Sequence, residues 1–281
     1  MTQPIRTVGV VGVGNIGSTV CVDFVVHGFR VVAVDREQSA LAAARGLLRD
    51  VNRFLPAVRP GLTRLAATMC IRDRENVSEK WEVKRDVYHD LDQVLPHGVG
   101  IGVNTSSVPI GRLAARTRRP DMVVGIHFMN PSYLKDAVEV MRGADTSEKC
   151  LDQVHELLAR LGKQAVVVGD FPGFVSNRIS HLFFNEAIRV VQDQGVAPAA
   201  VDDIFKKCFG HTMGPLETAD LIGLDTVLLT LENLRDNYGD ARYDGCALLR
   251  EMVASGRLGR KSGQGFHHYH GATAVATATG E

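Results

Sequence analysis

Residues 7–35, TVGVVGVGNIGSTVCVDFVVHGFRVVAVD, decide how the first half of the chain folds. Residues 7–13 form a continuous valine-rich run, the signature of a parallel strand buried on both faces. Gly12, Gly14 and Gly17 follow as GVGNIG. Ile16, Val20 and Phe24 then recur four apart, which predicts a helix that opens among the glycines and stops at Gly28. Residues 30–34 predict a second strand ending in Asp35, 18 residues after Gly17. In that order the parts suit a dinucleotide: glycines let backbone N–H groups and a helix N-terminus approach the pyrophosphate, and the acid accepts hydrogen bonds from the adenosine ribose. The candidate cofactor-binding residues are Gly12, Gly14, Asn15, Ile16, Gly17, Asp35 and Arg36. Asp35 favours NAD because a carboxylate repels a 2′-phosphate, whereas the neighbouring Arg36 is able to pair with one; NAD is the expected cofactor.

The next stretch is less regular. Residues 38–54 predict a helix whose Arg45, Arg49 and Arg53 read as a solvated basic face. Pro56 and Pro60-Gly61 interrupt it, residues 79–95 predict a further helix, and residues 99–103 a strand that delivers Asn104-Thr105-Ser106-Ser107, an ordinary polar turn by itself. Residues 122–126 read as a short buried strand that places His127 at its carboxyl end, where an open α/β sheet lines its ligand crevice. Glu139 stands 12 residues later between Val138 and Val140, so a return strand would set its carboxylate beside the imidazole. That pairing makes a general base with an orienting acid; a histidine between apolar residues also serves as a hydrogen-bonded core residue, and spacing leaves both open.

Residues 165–168 are the expected last strand before a junction at Asp170-Phe171-Pro172-Gly173. Helical patterns follow over 174–194, 198–209, 216–238 and 246–254, with broad apolar faces that suggest pairing with a second copy. His267, His268 and His270 read as a solvated tail rather than a metal site, because no acid or cysteine joins them at ligand spacing; no metal is expected. Lys+Arg 32 against Asp+Glu 32 leaves a formal charge of zero, so no global field attracts nucleic acid or an anionic membrane surface. The five scattered cysteines form no CxxC, the start lacks signal-peptide features, and no apolar run approaches the ~20 residues that span a bilayer. A cytoplasmic protein is expected.

The order of motifs resembles the short-chain L-3-hydroxyacyl-CoA dehydrogenase family, including 3-hydroxybutyryl-CoA dehydrogenases. GVGNIG with Asp35, NTSSVPI, GIHFMNP leading to VEV, DFPGFVSNRI, HTMGPLETADLIGLDT and GRKSGQGF carry the likeness across most of the chain. The resemblance implies that Ser106 contacts the substrate hydroxyl, that His127 is the catalytic base with Glu139 as its partner, and that Asn177 helps hold the substrate and the nicotinamide side. Asn104 joins the cofactor-binding set. The fold class is then an α/β N-terminal Rossmann-type domain (1–171) plus an all-α C-terminal domain for substrate and dimerisation (172–270), with 271–281 a disordered tail. The implied reaction interconverts a 3-hydroxyacyl thioester and its 3-oxoacyl form with NAD, in a homodimer. Three rivals remain: a dehydrogenase of acyl-carrier-protein-bound glyceryl-type groups, a free hydroxy acid dehydrogenase of carnitine or gulonate type that would use Arg178, and an inactive dinucleotide-binding structural protein.

The chain departs from this family between Gly46 and Glu75, where the family has more residues: a helical hairpin at the CoA end of the substrate and then an apolar strand. Here only residues 68–71 serve as a strand, and poorly. MCIRD, residues 69–73, matches one reading frame of a common transposon-type sequencing adapter, so an underlying frame with ~20 or more further codons is expected.

Overall fold

The computed structural model describes residues 5–58, 69–73, 81–96, 98–105 and 108–269. Ser106, His270 and the 271–281 tail lie outside them. The chain divides into two compact units, Met1–Phe171 and Pro172–Glu281.

The first unit is a Rossmann-like α/β fold. Strand β1 (Thr7–Val11) and strand β2 (Arg30–Asp35) run parallel, joined by helix α1 (Asn15–Val26). The helix ends at His27 because Gly28 turns with φ +83°. It is buried from Thr19 to Val26 on every face, wider than the expected apolar stripe, and this takes Asp23 inside. Helix α2 (Gln38–Val58) runs past residue 54 and ends two residues beyond Pro56. Strand β3 (Met69–Asp73) pairs parallel with β2, with Asp35 opposite Asp73. It sits a residue later than expected and takes in Arg72 and Asp73, since ladder bonds are made by the backbone whatever the side chain.

After helix α3 (Trp81–Val94) a second sheet begins. Strand β4 (Ile101–Val103) lies parallel to β5 (Val123–His127), β5 antiparallel to β6 (Ala137–Arg142), and β6 parallel to β7 (Gln164–Gly169). Helix α4 (Ile110–Ala114) follows β4, and Asp170 accepts from its first N–H groups, Ile110 at 2.9 Å and Gly111 at 2.8 Å. Helix α5 (Glu148–Arg160) covers the sheet, with Cys150, Leu151, Val154 and Leu158 buried. One core runs from Phe24 and Val25 of α1 through Val124 and Ile126 of β5 and Val138 and Val140 of β6 to Leu158 of α5. Among the described residues, however, no ladder joins β1 to β4. The expectation that the first strand is buried on both faces is therefore corrected: Val8, Val10 and Val11 are half-buried, while Val31 and Ala33 of β2, flanked by strands on both sides, are fully buried.

Asp92 on α3 ties this region to the segment before β5. Its carboxylate accepts from Arg118 Nε and Arg119 Nε, each at 2.8 Å, and from the Arg118 N–H at 3.0 Å. Arg119, buried, also donates to the carbonyls of Leu95 and Pro96. Burial alone would raise the Asp92 pKa, but the Arg118 and Arg119 hydrogen bonds outweigh it and hold the carboxyl down at about 2.

The second unit is helical: α6 (Ser176–Gln194), α7 (Pro198–Phe209), α8 (Pro215–Ile222), α9 (Leu224–Tyr238) and α10 (Ala247–Ala254), around Ile188, Leu216, Leu224, Val227, Leu231 and Leu249. Helix α6 starts two residues later than expected because Gly173 and Phe174 take positive φ, +74° and +49°. The single helix expected over 216–238 is two helices, broken by Gly223 at φ +104°. His267 does not belong to a solvated tail. Its Nε2 lies 2.7 Å from Asp202 Oδ2, and its backbone N–H donates to Asp220 at 3.0 Å. The acids come from α7 and α8, too far away in sequence for local spacing to reveal. Among the described residues, no cluster of three or more His, Cys, Asp or Glu could hold a metal, and no helix is long and apolar enough to cross a membrane.

Two outcomes follow. Because the folded carboxyl is depressed, the stabilisation from Asp92 is present above the unfolded value of about 4 and lost as pH falls toward 2. Thermal melts of Asp92→Ala are expected to show a loss on the order of 3 kcal/mol at pH 7, since Arg119 is left buried without its partner, and a penalty that shrinks between about pH 4 and pH 2; a penalty constant across that window contradicts this account. Resequencing of the locus is expected to add ~20 or more codons between Gly46 and Glu75, enough for a strand between β1 and β4, which no ladder joins among the described residues; an unchanged frame contradicts it.

Candidate active site

The glycine turn is held from both sides. Gly12 takes φ +82°, and its N–H donates to the Val34 carbonyl at 2.7 Å. Gly17 stands so close that a Cβ there would meet the Gly12 carbonyl oxygen at 1.9 Å, so only glycine lets helix and turn approach. Asp35 is fully buried and accepts from the N–H of Val13 at 2.7 Å and of Glu37 at 2.9 Å. Two carboxylate oxygens offer about four acceptor sites, so the acid that pins the turn retains capacity for ribose hydroxyls. Helix α1 begins with no side-chain cap and no acid in its first turn, which leaves its N–H groups and positive dipole end available to a pyrophosphate. Asn15 and Ile16 form that first turn. These features fit a dinucleotide. Arg36 is exposed, with Nε 3.3 Å from Glu37 Oε1, so its guanidinium turns toward its own neighbour.

Asn104 follows β4, and its carbonyl accepts from Lys84 Nζ at 3.1 Å. Sequence reading missed Lys84, which is buried; the signal was a cation on the face of α3 otherwise formed by Trp81, Val87 and Leu91. The next residue, Thr105, accepts from the Val108 N–H at 3.0 Å.

His127 and Glu139 stand directly opposite each other in the β5–β6 ladder. His127 Nδ1 lies 3.0 Å from Glu139 Oε2, with side chains 7% and 9% exposed. A carboxylate only accepts, so Nδ1 is the donor in this contact, and in that tautomer Nε2 is the acceptor nitrogen of the ring. The return strand expected from the sequence is β6, and the antiparallel register does the pairing.

Asn177 belongs to the second unit, where it is the second residue of α6, half-buried, with its carbonyl 3.0 Å from His181 Nδ1. Arg178 beside it donates to Tyr243 Oη at 3.1 Å and lies over the Tyr238 ring at 4.4 Å.

Residues 7–171 match the model of the 3-hydroxyacyl-CoA dehydrogenase NAD binding domain, and residues 173–269 that of the 3-hydroxyacyl-CoA dehydrogenase C-terminal domain. A protein of Deinococcus radiodurans named "Probable 3-hydroxybutyryl-CoA dehydrogenase" is 40% identical over 276 residues, covering 93% of this chain and 99% of the relative. The 3-hydroxybutyryl-CoA dehydrogenase of Bradyrhizobium diazoefficiens is 39% identical over 292 residues, covering 99% of this chain and 100% of the relative. That span exceeds the 281 residues here, so the relative has positions this chain lacks. Among solved structures, (S)-3-hydroxybutyryl-CoA dehydrogenase PaaH1 from Ralstonia eutropha superposes with a TM-score of 0.84 at 34% identity, covering 94% of this chain and 99% of that one. Two matched domains and full-length relatives place the chain in one family: it belongs to the 3-hydroxyacyl-CoA dehydrogenases.

Proposed function

We propose that this chain interconverts a 3-hydroxyacyl thioester of coenzyme A and its 3-oxoacyl form, with His127 as general base, Glu139 as its orienting acid and NAD as cofactor. The observation that carries the reading is the buried 3.0 Å contact between His127 Nδ1 and Glu139 Oε2 at the carboxyl end of β5. NAD, when bound, supplies the hydride acceptor. The chain's own work is with the proton: His127 Nε2 takes it from the substrate hydroxyl, and Glu139 stabilises the imidazolium that results. In the reductive direction the same imidazolium returns it. Ser106, outside the described residues, takes the part of donor to the reacting oxygen, and Asn177 that of amide donor to the thioester carbonyl.

A CoA thioester is preferred over a carrier-protein thioester because the relatives are named for CoA substrates. A free hydroxy acid is disfavoured, since Arg178 is engaged by Tyr243 and Tyr238. A homodimer through the second unit is part of the proposal: Ile179, Ile204, Phe209 and Leu229 are more than half exposed there, and large apolar side chains in such numbers suit a partner copy. So is a cytoplasmic setting, in keeping with the free thiols of Cys21, Cys150, Cys208 and Cys246.

Steady-state rates with acetoacetyl-CoA and NADH test the base. His127→Ala is expected to lose ~10²–10⁴-fold in kcat with NADH affinity within about twofold of wild type; an undiminished rate removes His127 from the mechanism. Gly17→Ala is expected to do the reverse, weakening NADH about 10- to 100-fold in a fluorescence titration, because the added methyl forces helix and turn apart. Unaltered NADH binding there would refute the assignment of the turn.

A further inference from the structure

We infer that the buried Lys163–Asp23 ion pair is a positioning device for the reaction, fixing the turn that joins His127 to Glu139 against helix α1. The inference rests on the His127–Glu139 reading above. Lys163 Nζ lies 3.0 Å from Asp23 Oδ2, and both side chains are 0% exposed. The ammonium has three protons. Besides facing the carboxylate, it donates to the carbonyls of Ser132 at 2.8 Å and Lys135 at 2.6 Å. Both carbonyls belong to residues 128–136, the connection between β5 and β6.

Other contacts bind the same turn to the same helix. Thr19, one helical turn before Asp23, accepts from the Ser132 N–H at 3.4 Å. Phe128, next to His127, packs edge-on against Phe24 with ring centres 6.2 Å apart. The Gln164 N–H, beside Lys163, donates to the Asp136 carbonyl at 2.7 Å, where β6 and β7 begin to pair. Lys163 is therefore the point at which the helix that opens the cofactor turn, the end of β5 and the start of β6 meet.

Energetics argue against a purely structural role for the pair. Taking two charges fully out of water is costly, and a buried pair is often replaced by well-packed apolar residues with no loss of stability. What apolar residues would not supply is a donor that gathers two turn carbonyls in one geometry. A displacement of His127 by an ångström, small for the fold, is large for proton transfer, where such misplacement costs up to about 100-fold in rate.

The test separates stability from positioning. In the full-length protein, Lys163→Met leaves the buried Asp23 carboxylate without its ammonium, with only His27 Nδ1 beside it at 3.4 Å, and is expected to lower both Tm and kcat. The double variant Asp23→Leu with Lys163→Met restores an apolar interior. It is expected to recover Tm to within a few degrees of wild type and to keep NADH affinity within about twofold, yet to remain about 10- to 100-fold down in kcat. Lys163→Arg, which retains the charge but cannot place an ammonium between the two carbonyls, is expected to fold and to show a kcat loss in the same direction. Wild-type kcat in either the double variant or Lys163→Arg overturns the inference. His127→Ala run alongside keeps the two readings apart: if it is inactive while the double variant is fully active, only the positioning role falls, and if it is active the base assignment falls and this inference with it.

Discussion

The antiparallel ladder between β5 and β6 determines where an acid and a base can meet in this protein. Side chains alternate faces along a strand, so moving β6 by one residue would carry Glu139 to the opposite face and leave His127 facing an apolar neighbour. The neighbours guard against that slip. Val138 and Val140 are buried on the other face, where the core would not admit a carboxylate, and β7 fixes β6 from its far side by pairing Glu139 with Val166. The 3.0 Å contact is thus a property of the sheet before it is a property of two side chains.

The cofactor end follows a similar economy. Asp35 closes β2, pins the glycine turn through Val13 and starts the next segment through Glu37. A single buried carboxylate thus shapes the turn from both of its oxygens. Lys84 acts comparably at the end of β4, where its buried ammonium holds the Asn104 carbonyl.

Local pattern made much of this legible in the sequence. The valine run, the glycines and Asp35 announced a strand, a turn and a helix because each obeys short-range geometry, and the 12-residue separation of His127 and Glu139 suits a short return strand. What escaped was long-range. Lys163 meets Asp23 across 140 positions, and His267 meets Asp202 across 65, so neither pair leaves a trace in local spacing. The break at Gly223 escaped for a different reason: the apolar period continues through it, and only the backbone angle reveals that the helix stops. Local reading also overstated the burial of β1, since the composition of a strand does not say which strands flank it.

Among the described residues, β1 has a ladder partner, β2, on one side only. On the other side the amide and carbonyl groups of β1, set between valines, meet no strand among the described residues. Such a border is a template onto which another molecule's extended segment docks. A frame supplying an intervening strand would cover that border.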